Sequence, residues 1–128
     1  MPNQNFTQSQ LYKENPIIQK TLEFAIQIVT YSEEPESRKR YVLAKQTLRS
    51  GTSIGANVKE AQNAESKADF IHKMKIAVKE ADETEYWLSL CKVLPNYPKN
   101  AILSNHLIEI LKILNSIVGS CKMLSPIR

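Results

Sequence analysis

Apolar residues recur along the chain at alternating spacings of three and four, which is the period of an amphipathic helix. Four such rows are separated by polar stretches, and no stretch alternates with a period of two as a strand would. The rows consist of Ile18, Leu22, Ala25 and Val29 with Ile17, Phe24, Ile28 and Tyr31 beside them; of Tyr41, Ala44, Leu48, Gly51, Gly55 and Val58; of Phe70, Met74, Ala77, Ala81, Thr84, Leu88 and Cys91; and of Leu103, Leu107, Ile110, Leu114, Ile117, Cys121 and Leu124.

The six prolines lie at the ends of these rows or between them, so they mark element boundaries. Short polar loops between long helices favour antiparallel neighbours. We therefore predict an all-α fold, a single up-down-up-down four-helix bundle domain, with a break at Gly51 as the alternative to a continuous second helix. The expected segments are a flexible N-terminal stretch over residues 1–12 and helices at about 15–32, 37–63, 66–94 and 100–124.

The first and the last helix are apolar over more than one row, which is more than one bundle core can cover. In the last helix a second set lies off the main row. In a small protein such an excess usually indicates a second buried surface, and a further copy of the same chain is the simplest partner. Self-association is predicted on this ground. The residues off the row are Ile102, Ile108, Leu111, Ile113 and Val118.

Composition argues against a nucleotide-binding enzyme. The 128 residues have a net charge of +4, and only three are glycine, without the motifs of a phosphate-binding loop. No secretory signal or continuous membrane span is recognisable, so a cytoplasmic protein that does not contact a membrane is expected. Cys91 and Cys121 are expected to be packed thiols.

The sequence offers no catalytic constellation. A di-metal bundle site needs several Glu and paired Glu-x-x-His motifs, and the nearest approach is Asp69 three residues before His72. His106 has no acidic residue at that spacing, and nothing assigns either histidine as a base for a cysteine or serine. We predict no enzymatic activity, no metal site and no cofactor.

Two polar clusters border the apolar rows of the middle helices. One contains Ser53, Asn57 and Glu60, and the other contains Glu80, Glu83 and Trp87. Each could form a hydrogen-bonded layer that fixes helix register, or a solvated face. Asp82 and Glu85 are expected on a solvated face.

A basic cluster occupies residues 36–49, where Glu36 is the one acidic residue. Repeated around an oligomer, this charge would form a polyanion site, so these residues are candidates for nucleic-acid binding. The alternative is a solvated helix start whose basic groups face Glu33, Glu34 and Glu36. The basic residues are Arg38, Lys39, Arg40, Lys45 and Arg49.

Three strings in the middle of the chain together resemble a known family. They read SIGANVKEA over residues 53–61, DFIHKMKIA over 69–77 and KEADETEYWL over 79–88. The combination is similar to the bacterial four helix bundle proteins encoded by intervening sequences of 23S ribosomal RNA genes. Ala61 stands where that family frequently has glycine, which puts the local turn in doubt.

The resemblance implies a homopentamer of bundles. A related protein, the accessory variability determinant of diversity-generating retroelements, forms a similar basic pentamer that binds nucleic acid and a reverse transcriptase. By position, a role in fold or assembly is implied for seven residues. These are Ser53, Asn57, Glu60, Glu80, Glu83, Tyr86 and Trp87.

Two functions follow as hypotheses. The first is a non-enzymatic homo-oligomer that binds RNA or DNA through the basic cluster, with a reverse transcriptase or another protein as a candidate partner. The alternative is a protein–protein adaptor or structural oligomer that has no nucleic-acid role.

Overall fold

The computed structural model describes residues 16–124, so the N-terminal segment predicted over residues 1–12 lies outside the described residues. Within the described range the chain is all-α, without a strand, as the sequence predicts. Over residues 16–124 five helices follow one another, four long and one short. They are α1 (Pro16–Glu33), α2 (Pro35–Lys39), α3 (Tyr41–Ala61), α4 (Lys67–Val93) and α5 (Ala101–Leu124).

The four long helices form the predicted four-helix bundle. Helix α1 packs against α3 and α5, and α4 packs against the same two helices. Helices α1 and α4 therefore lie diagonally opposite each other. The core between the four helices is closed by aliphatic side chains from all of them, including Ile28 of α1, Ile54 of α3, Met74 of α4 and Leu107 of α5.

The second predicted helix is divided in two, which corrects the expectation of one helix over 37–63. The backbone leaves helical geometry at Arg40, with φ −112° and ψ 58°, and the Arg40 N–H donates to the Ser37 carbonyl at 3.1 Å. At this bend the Ser37 side chain is buried, and the Arg40 guanidinium lies over the Tyr97 ring. Residue 40 is neither glycine nor proline, so the local sequence does not predict the bend.

One of the two apolar rows of helix α1 is buried along its length, the row with Phe24, Ile28 and Tyr31. The other row enters the core only at Ile18, whereas its Leu22 and Val29 are exposed. In α5 the buried row departs from the expected spacing. Val118, expected off the row, is buried. Because a helix has 3.6 residues per turn, a strict seven-residue repeat drifts around the helix axis. The buried position therefore shifts from the expected Ile117 to Val118.

Helix α3 continues through Gly51 and Gly55 without the alternative break. Both glycines are close to α1. A Cβ atom built at Gly51 would lie 2.9 Å from Cγ1 and 3.0 Å from Cγ2 of Ile28, and one at Gly55 would lie 3.3 Å from the Thr21 carbonyl oxygen. The lack of side chains at these positions therefore sets the distance between the two helices.

We predict that Gly51→Ala lowers the free energy of unfolding by about 1 kcal/mol, because overpacking against the buried Ile28 outweighs the gain of about 1 kcal/mol in helix propensity. Gly119→Ala is the matched control, since a Cβ there has no heavy atom within 4 Å. The control should raise the free energy of unfolding. Urea denaturation followed by circular dichroism at one protein concentration measures both, and equal stabilisation by the two variants would contradict the close approach.

Candidate functional site

A buried pair of hydroxyl groups joins α3 and α4 near the middle of both helices. Ser50 and Thr84 are fully enclosed, and their Oγ atoms lie 2.8 Å apart. Each hydroxyl also has an acceptor in its own helix: the Gln46 carbonyl lies 3.0 Å from the Ser50 hydroxyl, and the Glu80 carbonyl lies 2.7 Å from that of Thr84. The contact between the two hydroxyls is thus a polar contact across the helix interface, made at one register of α3 against α4.

Arg49 extends this contact toward solvent. Its guanidinium forms ion pairs with both Glu80, at 3.3 Å, and Glu83 of α4. The Trp87 Nε1–H donates to the same Glu83 carboxylate at 3.0 Å. We call these four residues together with Ser50 and Thr84 the α3–α4 polar seam. Its carboxylates are half-buried, where ion pairs are screened less than on an open surface.

The remaining polar residues of α3 contribute less to the seam. Lys73 of α4 pairs with Glu60 at 3.0 Å, and this hydrogen bond raises the pKa of Lys73. Asn57 does not form an interhelical layer, because its amide donates to the Ser53 carbonyl of the same helix at 2.9 Å. The Ser53 hydroxyl likewise donates within α3, to the Arg49 carbonyl.

The outer surface of α4 combines acidic and apolar side chains. Asp82 and Glu85 are exposed. Tyr86 is 60% exposed and contacts the half-buried Trp87 edge-on, with ring centroids 5.3 Å apart. Tyr86 thus presents most of its ring outward, whereas Trp87 is held by the seam.

The residues of the predicted basic cluster are in different environments. Lys39 and Lys45 are exposed, and the Arg40 guanidinium lies 5.6 Å from the ring centroid of Tyr97. Arg38 is on α2, and its side chain lies outside the described part of the chain.

Arg49 is the exception within that cluster, because it is committed to Glu80 and Glu83 across the helix interface. We therefore assign Arg49 to the polar seam and remove it from the candidates for nucleic-acid contact.

The alternative explanation of the basic cluster required its members to face the preceding glutamates. Among the side chains that the structure describes, Lys39 and Lys45 form no ion pair with Glu33, Glu34 or Glu36. Their positive charges are consequently available to a ligand.

Burial keeps two titratable side chains of the described residues, Cys91 and Tyr31, in their neutral forms. Burial raises the pKa of the Cys91 thiol, which keeps it protonated near neutral pH. Burial also raises the pKa of the Tyr31 phenol well above its usual range, and its hydroxyl donates to the Pro98 carbonyl at 2.8 Å. Over residues 16–124, no group of three or more His, Cys, Asp or Glu side chains could hold a metal ion.

One described helix, α5, is long and apolar enough over Ala101–Cys121 to cross a membrane by length and composition alone. Leu103, Leu107, Ile110 and Leu114 from this segment are fully buried in the bundle. One face of α5 therefore lies in the bundle core, while 28% of its apolar stretch is buried in all.

Sequence reasoning missed the contacts that hold the seam together. Periodicity predicts Thr84 in the buried row of α4. It indicates neither the contact of Thr84 with Ser50 nor the pairing of Arg49 with Glu80 and Glu83. A hydroxyl residue at a core-facing position is a weak signal of such a contact, because the carbonyl four residues earlier can also accept from it, as the Glu80 carbonyl does from Thr84. Which residue of α3 meets Thr84 depends on the relative register of the two helices, which periodicity alone does not give.

Comparisons with known proteins agree with the fold and the motifs. A family model described as 23S rRNA-intervening sequence protein matches residues 13–116. Among solved structures, the chain is similar to a protein of unknown function from the S23 ribosomal protein family of Bacteroides thetaiotaomicron, with 48% identity and a TM-score of 0.74. The similarity covers 80% of this chain and 97% of that one. No curated protein is significantly similar to this chain.

We predict a coupling energy of about 1 kcal/mol between Arg49 and Glu83 in a double-mutant cycle with Arg49→Met and Glu83→Gln. The exposed pair Lys20 and Glu109, 3.2 Å apart, supplies the matched cycle, with an expected coupling below about 0.5 kcal/mol. Urea unfolding at low and high salt gives both values. Equal coupling in the two cycles would show that the seam is an ordinary surface contact.

Proposed function

Because the chain belongs to the 23S rRNA-intervening sequence protein family, we propose that it is a non-enzymatic, homo-oligomeric protein that binds RNA or DNA through a basic surface. The name of the family connects it with ribosomal RNA genes. The proposal also places the protein in the cytoplasm.

The exposed, unpaired side chains of Lys39 and Lys45 are the observation that supports a nucleic-acid role. Both side chains are exposed and have no ion pair among the described residues, although three glutamates precede them in the sequence. We call Lys39, Arg40 and Lys45 the basic corner of the bundle. Unpaired lysines contribute most to phosphate binding, because each one releases a counterion from the nucleic acid on contact.

Self-association supports this role by repeating the basic corner. One copy has a net charge of +4, which is modest for a polyanion ligand. Leu22 and Ile26 of α1 are 51% and 58% exposed, and exposed aliphatic residues on one helix face favour burial against a partner. In a homo-oligomer, the pentamer implied by the resemblance, several basic corners would act on one nucleic-acid molecule.

The second candidate is a protein–protein adaptor, in which the positive charge serves solubility. The exposed apolar side chains on α4 favour it, because Tyr86 and Val93 could contact another protein. In that case a reverse transcriptase or another protein, rather than nucleic acid, would be the partner.

We predict that Lys39→Glu with Lys45→Glu weakens binding to a short RNA or DNA duplex and flattens its salt dependence. Each lysine that contacts a phosphate contributes about 0.9 to the slope of the logarithm of affinity against the logarithm of salt concentration for B-DNA. The matched control is Lys75→Glu with Lys79→Glu, which makes the same charge change at two exposed positions of α4. Fluorescence anisotropy across a salt series measures the slope.

The control should keep a steeper slope than the variant of the basic corner. An equal loss in both would mean that overall charge, rather than the basic corner, governs binding. If the wild-type protein does not bind at low salt, the nucleic-acid role is wrong and the adaptor function is favoured.

We also predict that the nuclease-treated protein has a mass of several times 14.6 kDa, with five copies as the number implied by the resemblance. Size-exclusion chromatography with light scattering gives the absolute mass. A single-chain mass would contradict self-association, and it would remove the means by which a weakly basic subunit gains affinity for nucleic acid.

A further inference from the structure

A cavity of about 470 Å³ lies at the end of the bundle where α1 and α4 end and α5 begins. Three buried side chains line it: Tyr31 of α1, and Leu88 and Cys91 of α4. Ile108 of α5 also lines it and is 45% exposed. A cavity of this volume with a largely apolar lining and a few polar groups is typical of a small-molecule site.

Two hydrogen bonds hold the segment between α4 and α5 that encloses this cavity. The Tyr31 hydroxyl donates to the Pro98 carbonyl at 2.8 Å, and the Lys99 ammonium donates to the Cys91 carbonyl at 2.7 Å. Contacts within the fold therefore set the shape of the cavity. Because the walls are already ordered, little conformational freedom is lost when a ligand binds between them.

The charged side chains that line the cavity are both positive. Lys92 is exposed and forms no ion pair among the described residues. The Lys99 ammonium is bonded to two backbone carbonyls rather than to a carboxylate, so its charge is not neutralised. Ala101, the first residue of α5, lines the same cavity, where the helix dipole adds partial positive charge. Among the described residues that line the cavity, none is acidic.

We propose that this cavity binds a small amphipathic carboxylate, with its apolar body against Leu88 and Ile108 and its carboxylate between Lys92 and Lys99. The apolar body is removed from water, whereas the charge stays near the exposed lysines. A singly charged group is sufficient, because Lys99 already donates two of its three ammonium hydrogens. The inference goes beyond the proposed function, since the cavity lies within one copy and needs neither nucleic acid nor a second chain.

Octanoate is the probe for this site, and 1-octanol, which has the same carbon chain without the charge, is its control. Isothermal titration calorimetry of the nuclease-treated full chain should show saturable binding of one octanoate per chain and weaker binding of 1-octanol. Lys92→Met should weaken octanoate binding about threefold, the effect of one exposed ion pair. Lys112→Met removes an exposed lysine of α5 outside the cavity and should leave octanoate binding unchanged.

Substitutions that fill the cavity test where octanoate binds. Ser104→Phe places a ring in the cavity and should abolish binding. Ser116→Phe, at an exposed residue of the same helix outside the cavity, is the matched control and should keep it. Asn105→Trp covers the cavity from an exposed position, so it gives the same test where circular dichroism shows that Ser104→Phe does not fold.

Three results would overturn the inference. A wild-type protein without saturable octanoate binding would reject the site. Equal affinity for octanoate and 1-octanol, or an unchanged affinity in Lys92→Met, would show that the lysines do not recognise the carboxylate. Octanoate binding that persists in a folded Ser104→Phe or Asn105→Trp variant would place the ligand elsewhere on the chain. None of these results bears on nucleic-acid binding or self-association, which the salt series and the mass measurement test separately.

Discussion

The register between α3 and α4 is the constraint on which the rest of the bundle depends. Ser50 and Thr84 are enclosed and their hydroxyls meet across the interface, so a shift of one helix along the other would break this contact and separate Arg49 from Glu80 and Glu83. Gly51, the next residue on α3, lies against Ile28 of α1. One short stretch of α3 therefore sets its position relative to both of its neighbours.

This register also determines which charged side chains remain available to a ligand. It places Arg49 opposite Glu80 and Glu83, so these three charges are used within the bundle. Lys39 and Lys45 of the basic corner are left without an ion pair among the described residues, and so are the exposed Lys75 and Lys79 of α4. The polar contact that stabilises the fold thus withdraws Arg49 from the basic cluster and leaves the exposed lysines to act on a phosphate ligand.

Periodicity was sufficient for the four long helices and for the buried row of α4, and the motifs over residues 53–88 were sufficient for the family, which the comparison confirms. Periodicity could not predict which apolar row of α1 is buried, because both rows are apolar and only packing against α3 and α5 distinguishes them. The bend at Arg40 depends on Tyr97, far along the chain, and the pairing of Arg49 depends on helix register. Interactions between distant residues are what single-helix patterns omit.

The exposed apolar residues connect fold and function. Leu22 and Ile26 of α1 stay exposed beside the buried row of the same helix, and Tyr86 and Val93 stay exposed on α4, the helix diagonal to it. Self-association would remove such apolar side chains from water. Because every added copy brings another basic corner, assembly of this kind would raise the affinity for a phosphate backbone without any change in the charge of the single chain.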